Sequence, residues 1–188
     1  MGGEVWGKLI CRRLIIDSDI LFPEELAYED SYWMPLLCIY AEKIYLIEEK
    51  LYHYYVNPCS TSFASAGFDH MDYLTVQLKK WAEYTRRGLM EKYYAELEYN
   101  FLSEMVGFAG KMVLMHGEQS YSYFLLDSEL VKEYVADWKT NKYTGNFSPP
   151  YRLLLDGMYA SLDRDSYAQI VDQAKILFLE KYNESLVY

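Results

Sequence analysis

Apolar residues recur at helical spacing along most of the chain after Gly67, and stripes of that length leave few folds open. Met71, Leu74, Leu78, Trp81 and Thr85 share one face of a helix that Asp69 can cap, with Asp72 three residues on. After Gly88 the positions Met90, Tyr94, Leu97, Phe101, Met105, Phe108 and Met112 form a longer stripe ending near His116-Gly117. A third helix is expected from Ser120 or Ser128 to about Trp138. A polar Gly/Asn/Pro loop then covers residues 139–150, and a last pair of helices falls at about 151–160 and 165–183. Leaving such faces in water costs about 25 cal/mol per Å², so the helices must pack together. The Met and aromatic positions read as core rather than as a cofactor box.

Residues 1–66 read differently. Residues 6–16 suggest a short helix whose Leu9, Ile10, Arg13 and Leu14 separate an apolar from a basic face, and residues 17–27 a loop. Asp30 can act as N-cap of a helix running to about Glu42, with Trp33, Leu36, Leu37 and Tyr40 buried. Pro35 removes a backbone hydrogen bond past the first turn and moves the regular start toward Met34. Residues 43–48 and 51–56 are β-branched and aromatic runs split by Glu48-Glu49-Lys50, the pattern of two short strands joined by a charged turn. The expected fold is therefore α+β, mainly α. A small α/β segment with two short strands (1–66) precedes an α-helical bundle (67–188), and the sequence shows no internal repeat and no heptad run of coiled-coil length.

Charge and cysteine content narrow the function classes. A formal charge of -10 with no basic cluster larger than Arg12-Arg13, Lys79-Lys80 or Arg86-Arg87 argues against nucleic acid as a partner. Three cysteines with neither C-x-x-C nor a histidine at ligand spacing indicate no disulfide framework or zinc site, and a reducing cytoplasm is the default location. No apolar run approaches the ~18 to 20 residues of a membrane span, and the chain start lacks a signal-peptide pattern. The 21 tyrosines read first as ordinary helix-interface residues, although sugar-binding surfaces use such rings too.

Glu29-Asp30 is the pair of greatest chemical interest. At a helix N-terminus it can serve as cap and dipole partner, or hold a general base beside a cleft. Its neighbours bear on that choice: Val5-Trp6-Gly7-Lys8-Leu9 and Phe22-Pro23 lie upstream, and Tyr52-His53-Tyr54 and Ser60 downstream. In this order the blocks resemble the acceptor-side half of a family 2 glycosyltransferase of the GT-A type, over about residues 5–62. The resemblance implies transfer of a sugar from a nucleoside diphosphate donor to an acceptor hydroxyl with inversion. It makes Asp30 the catalytic base, Glu29 its acceptor-orienting neighbour, and Trp6, Lys8, Tyr52, His53 and Ser60 candidates for the acceptor side.

The family also carries a preceding nucleotide-binding half whose Asp-x-Asp motif holds a divalent metal, Mn or Mg. Only four residues precede Val5, so the chain is expected to be a fragment, inactive alone and without a cofactor of its own. The donor sugar nucleotide and hydroxyl acceptor would then be partners of the intact enzyme, at work in the cytoplasm or at the inner face of the membrane. Asp17-Ser18-Asp19 imitates the metal motif, but it follows a run that reads as helix, and Asp and Ser end helices and start turns; no metal ligand is assigned. His70, His116 and Cys59 receive no role. The alternative, from another class, is a non-enzymatic helical domain whose aromatic and Met surfaces meet a protein partner or a second copy of itself.

Overall fold

The computed structural model describes residues 4–55, 57 and 70–185. Seven α-helices occur there: α1 (Arg12–Ser18), α2 (Glu29–Tyr40), α3 (Asp72–Arg86), α4 (Met90–His116), α5 (Tyr121–Tyr134), α6 (Pro149–Tyr159) and α7 (Arg164–Ser185). Short 3-10 turns fall at Gly117–Ser120, Trp138–Thr140 and Thr144–Asn146. The chain divides into two compact units, Met1–Tyr84 and Thr85–Tyr188. The expected change of character at residues 66–67 lies outside the described residues.

Among the described residues there is no strand, which overturns the α/β reading of the first segment. Residues 43–55 carry strand-forming side chains, yet they run irregularly and are mostly exposed, Tyr45 and Leu46 the most so among the large apolar ones. A strand exists only when a neighbouring strand takes up its amides and carbonyls. Within 43–55 the backbone bond outside regular elements is a local one, Leu51 N–H to the Glu49 carbonyl at 2.9 Å. The side-chain preference is present, but the ladder that would express it is not.

In the first unit the core is built by Ile20, by Trp33, Met34, Leu36 and Leu37 of α2, and by Leu74, Val76 and Tyr84 of α3. Helix α1 starts at Arg12 rather than residue 6, and Leu9 is fully exposed, so the Trp-Lys block precedes the helix instead of forming it. Asp17 and Ser18 close α1, with the Ser18 hydroxyl donating to the Ile15 carbonyl at 3.2 Å, and Asp19 takes the left-handed C-cap conformation. Helix α3 buries Leu74, Gln77, Lys80 and Tyr84 and leaves Thr85 exposed. Its buried face is thus rotated by one residue from the expected Leu74, Leu78, Trp81, Thr85 stripe.

The second unit is the helical bundle that the stripes required. Helix α4 packs against α5, α6 and α7, and α6 packs along α7. Leu97, Phe101, Met105, Phe108 and Met112 of the long stripe are all buried, as are Phe124, Val131, Leu154, Leu155, Met158, Tyr167 and Val171 from the other helices. Close approach at Gly110 allows this. A Cβ there would lie 2.9 Å from Phe178 Cζ and 3.2 Å from Tyr151 Cε1, so α4 meets α6 and α7 side chains directly over a bare backbone. Proline at the first two positions of α6 starts that helix where no amide donor is needed.

Candidate functional site

The chain enters α2 through a turn fixed by Tyr28, which adopts left-handed dihedrals at the N-cap (φ 64°). That conformation is costly for a tyrosine, and the beginning of α3 holds it. The Tyr28 hydroxyl lies 2.6 Å from His70 Nδ1, its ring meets Tyr73 edge-on at 5.1 Å, and the Ala27 amide donates to Asp72 Oδ2 at 2.9 Å. His70, which the sequence left without a role, is buried and part of this anchor. The Phe22-Pro23 block is fastened from the other side: Phe22 stacks on Trp33 at 4.7 Å, and Trp33 Nε1 donates to the Ile20 carbonyl at 2.8 Å.

Both carboxylates of the acidic pair therefore sit in the first turn of α2, where the helix dipole favours them. Asp30 is not the N-cap that the sequence suggested. It lies inside the first turn, and its Oδ1 accepts the Ser31 amide at 2.8 Å. Glu29 is exposed, and Asp30 is half-buried. Burial raises the Asp30 pKa above its ordinary value; the Ser31 amide pulls the other way, and the nearby charges of Glu29 and Glu4 add to the rise. The charge of Glu4 in the N-terminal segment is thus felt at Asp30, a coupling the sequence did not suggest.

That segment carries two of the expected acceptor-side residues. Lys8 pairs with Glu4, Nζ to Oε1 at 3.5 Å, and donates to the Glu4 carbonyl. Burial raises the Cys38 thiol pKa, and the charge of Lys8 acts in the opposite direction. Trp6 stacks on Tyr52 (5.2 Å, 16°) and on Tyr54 (5.0 Å, 22°). Gly7 has φ 68°, and the Tyr52 ring lies 3.8 Å from where a Cβ would sit. The three rings remain 44%, 53% and 50% exposed, so ring area stays available to a ligand. His53 is not in this stack: it faces Tyr55 at 4.5 Å and 13°. Ser60 lies outside the described residues. Tyr54, which the sequence left as a neighbour, belongs to the platform.

The second unit has a cleft of its own, about 430 Å³ in volume, lined by Tyr94 and Glu98 of α4 and by Asp137, Thr140, Asn141 and Lys142 among others. Glu98 is buried. It accepts Asn141 Nδ2 at 2.7 Å and is hydrogen-bonded to the Tyr94 hydroxyl, whose pKa rises first through burial and then through Glu98. Asn141 also donates to the Ala95 carbonyl at 2.8 Å and accepts the Tyr143 amide at 2.9 Å. Tyr159 is pushed up to about 12, by burial first and then by Asp137 and Glu98. At the rim Glu96 is held down to about 2, by hydrogen bonds from Tyr143 and Lys142. These polar groups satisfy one another, so the set reads as a clamp on the segment after α5.

Among the described residues no three of His, Cys, Asp or Glu come together as a metal site, and the divalent metal implied by the resemblance is assigned to none of them. No helix among the described residues is long and apolar enough to cross a membrane. Comparison of the chain with family models, curated proteins and solved structures finds no match.

Proposed function

We propose that the first unit is the acceptor-side part of a family 2 glycosyltransferase and that Asp30 is its general base. One observation carries the reading most: a half-buried carboxylate in a helix first turn, its pKa raised by burial first and then by Glu29 and Glu4; the same unit also presents an exposed aromatic stack. A carboxylate lifted above its ordinary value is a stronger base and holds a transferred proton more firmly. The acceptor hydroxyl oxygen attacks the anomeric carbon, its proton passes to Asp30, and the bond to the nucleoside diphosphate breaks, with inversion at carbon. Trp6, Tyr52 and Tyr54 offer flat apolar faces to the acceptor, while Glu29 and Lys8 supply polar contacts near the reacting hydroxyl. These are roles for the intact enzyme with its donor-binding half.

Asp30→Asn in that intact enzyme keeps size and hydrogen bonding and removes the base. Transfer should fall by about 10²–10⁴-fold with donor binding nearly unchanged, and a fully active Asn variant refutes the assignment.

A second reading, a helical interaction domain, is favoured by one feature of the second unit. Ile176, Leu179 and Tyr182 lie at i, i+3 and i+6 of α7 and are all exposed, so they form an apolar stripe on the helix surface.

A further inference from the structure

Pro35 lies inside α2. Proline has no amide proton, so the carbonyl four residues earlier loses its helix partner, and that carbonyl belongs to Ser31. In this fold the vacancy is filled from another helix: Lys80 Nζ of α3 donates to the Ser31 carbonyl at 3.1 Å. Lys80 is only 1% exposed, a place where an ammonium is tolerated only with its protons bonded. The amide of Ser31 is held as well, by Asp30 Oδ1 at 2.8 Å and the Tyr28 carbonyl at 3.0 Å. One residue thus ties a buried cation from α3 to the carboxylate of Asp30.

We propose that Lys80 is a positioning residue for Asp30: its ammonium replaces the amide proton that Pro35 lacks, closes the turn of α2 that begins at Ser31, the residue whose amide Asp30 accepts, and so sets the orientation of the Asp30 carboxylate. The inference rests on the reading of Asp30 as the base. It reaches beyond that reading because α3 lies outside the stretch that resembles glycosyltransferases. With an ordinary residue at position 35 the turn would be complete within its own helix. With proline it is complete only when α3 is docked, so a local bond has been exchanged for a tertiary one and the geometry of Asp30 depends on the packing of α2 against α3.

The test uses Lys80→Met, Pro35→Ala and the double variant. Methionine at position 80 keeps much of the stem and removes the donor; alanine at position 35 returns an amide proton to the Ser31 carbonyl. Two quantities are read in the full chain: the melting temperature, and the pH midpoint of the Asp30 carboxyl followed by its ¹³C resonance. Glu29 and Glu4, the charges that act on Asp30, are unchanged throughout. K80M should lower Tm by several degrees and move the Asp30 midpoint down toward the ordinary carboxylate range, because opening the turn relieves the burial that raises it. Adding P35A should restore most of both. K80M and the double variant carry the same charge, so the difference between them is free of the lost cation. An Asp30 midpoint equal in those two variants, or strictly additive Tm changes, overturns the proposal. Should K80M fail to fold, folding of the double variant supports it and failure of both overturns it. No turnover enters these readouts, so an active Asp30→Asn enzyme would remove the base and leave the Lys80 bond standing.

Discussion

Replacing Asp127 with asparagine should make the second unit more stable at neutral pH while changing little in mild acid. Asp127 lies on the buried face of α5 at 0% exposure, and among the described residues neither carboxylate oxygen has a hydrogen-bond partner. Burial alone raises its pKa well above the ordinary carboxylate value, and its proximity shows in the neighbouring Tyr167, whose pKa rises by burial first and partly through Asp127. The folded state therefore keeps a proton that the unfolded chain releases near the ordinary carboxylate value of about 4. As pH rises from there to the folded value, the folded form binds more protons than the unfolded one, and stability falls by about 1.4 kcal/mol per pH unit. At pH 7 the loss has a ceiling of about 4 kcal/mol. Asparagine has nearly the same shape and an equally unmet polar group, so it leaves the desolvation cost of about 1–3 kcal/mol in place and removes only the ionisation. Urea unfolding of wild type and variant, followed by circular dichroism from mildly acidic to neutral pH, isolates this residue as the difference at each pH. That difference should be near zero at the acid end and grow in favour of the variant toward neutrality. A difference independent of pH, or a variant weaker at neutral pH, would mean that Asp127 is ionised and partnered, and would refute the argument.

Asn141→Ala should lower stability by about 1–3 kcal/mol, because it strips a buried carboxylate, Glu98, of its Nδ2 donor; proteolysis should then open the chain near residues 136–146, and an unchanged cleavage pattern contradicts the clamp. Leu179→Glu tests the helical-domain reading: a self-associating chain should become monomeric in analytical ultracentrifugation with its melting temperature almost unchanged, whereas an oligomer that survives the substitution removes α7 from the interface.

Helix content in the second unit was legible because its cause is local. A stripe such as Leu97, Phe101, Met105, Phe108 and Met112 repeats at the helix period within one segment, and any partner surface will bury it. In the candidate site Glu29-Asp30 and Trp6 with Tyr52 could be singled out from residue type and order, and the structure places Trp6 on Tyr52. Glu4 and Lys80 could not, since each matters through a neighbour distant in sequence. Proline at position 35 was the one available signal for Lys80: it announces an orphaned carbonyl, without naming the donor.

The first unit marks the limit most plainly. Residues 43–55 have the side chains of strands, but a strand is a relation between two segments and composition supplies only one side of it. The rotated face of α3 has the same origin. Lys80 and Gln77 look like surface residues by type, and Thr85 fits the apolar spacing, yet burial followed the contacts that α3 could make: an ammonium with the Ser31 carbonyl waiting for it went inside. The sequence by itself determined that the second unit is built of helices and which carboxylates open α2, whereas in the first unit it misplaced the start of α1 and expected strands that did not form. Only the tertiary structure decided which faces turn inward and how Asp30 is held, because those depend on polar groups in one element finding their partners in another.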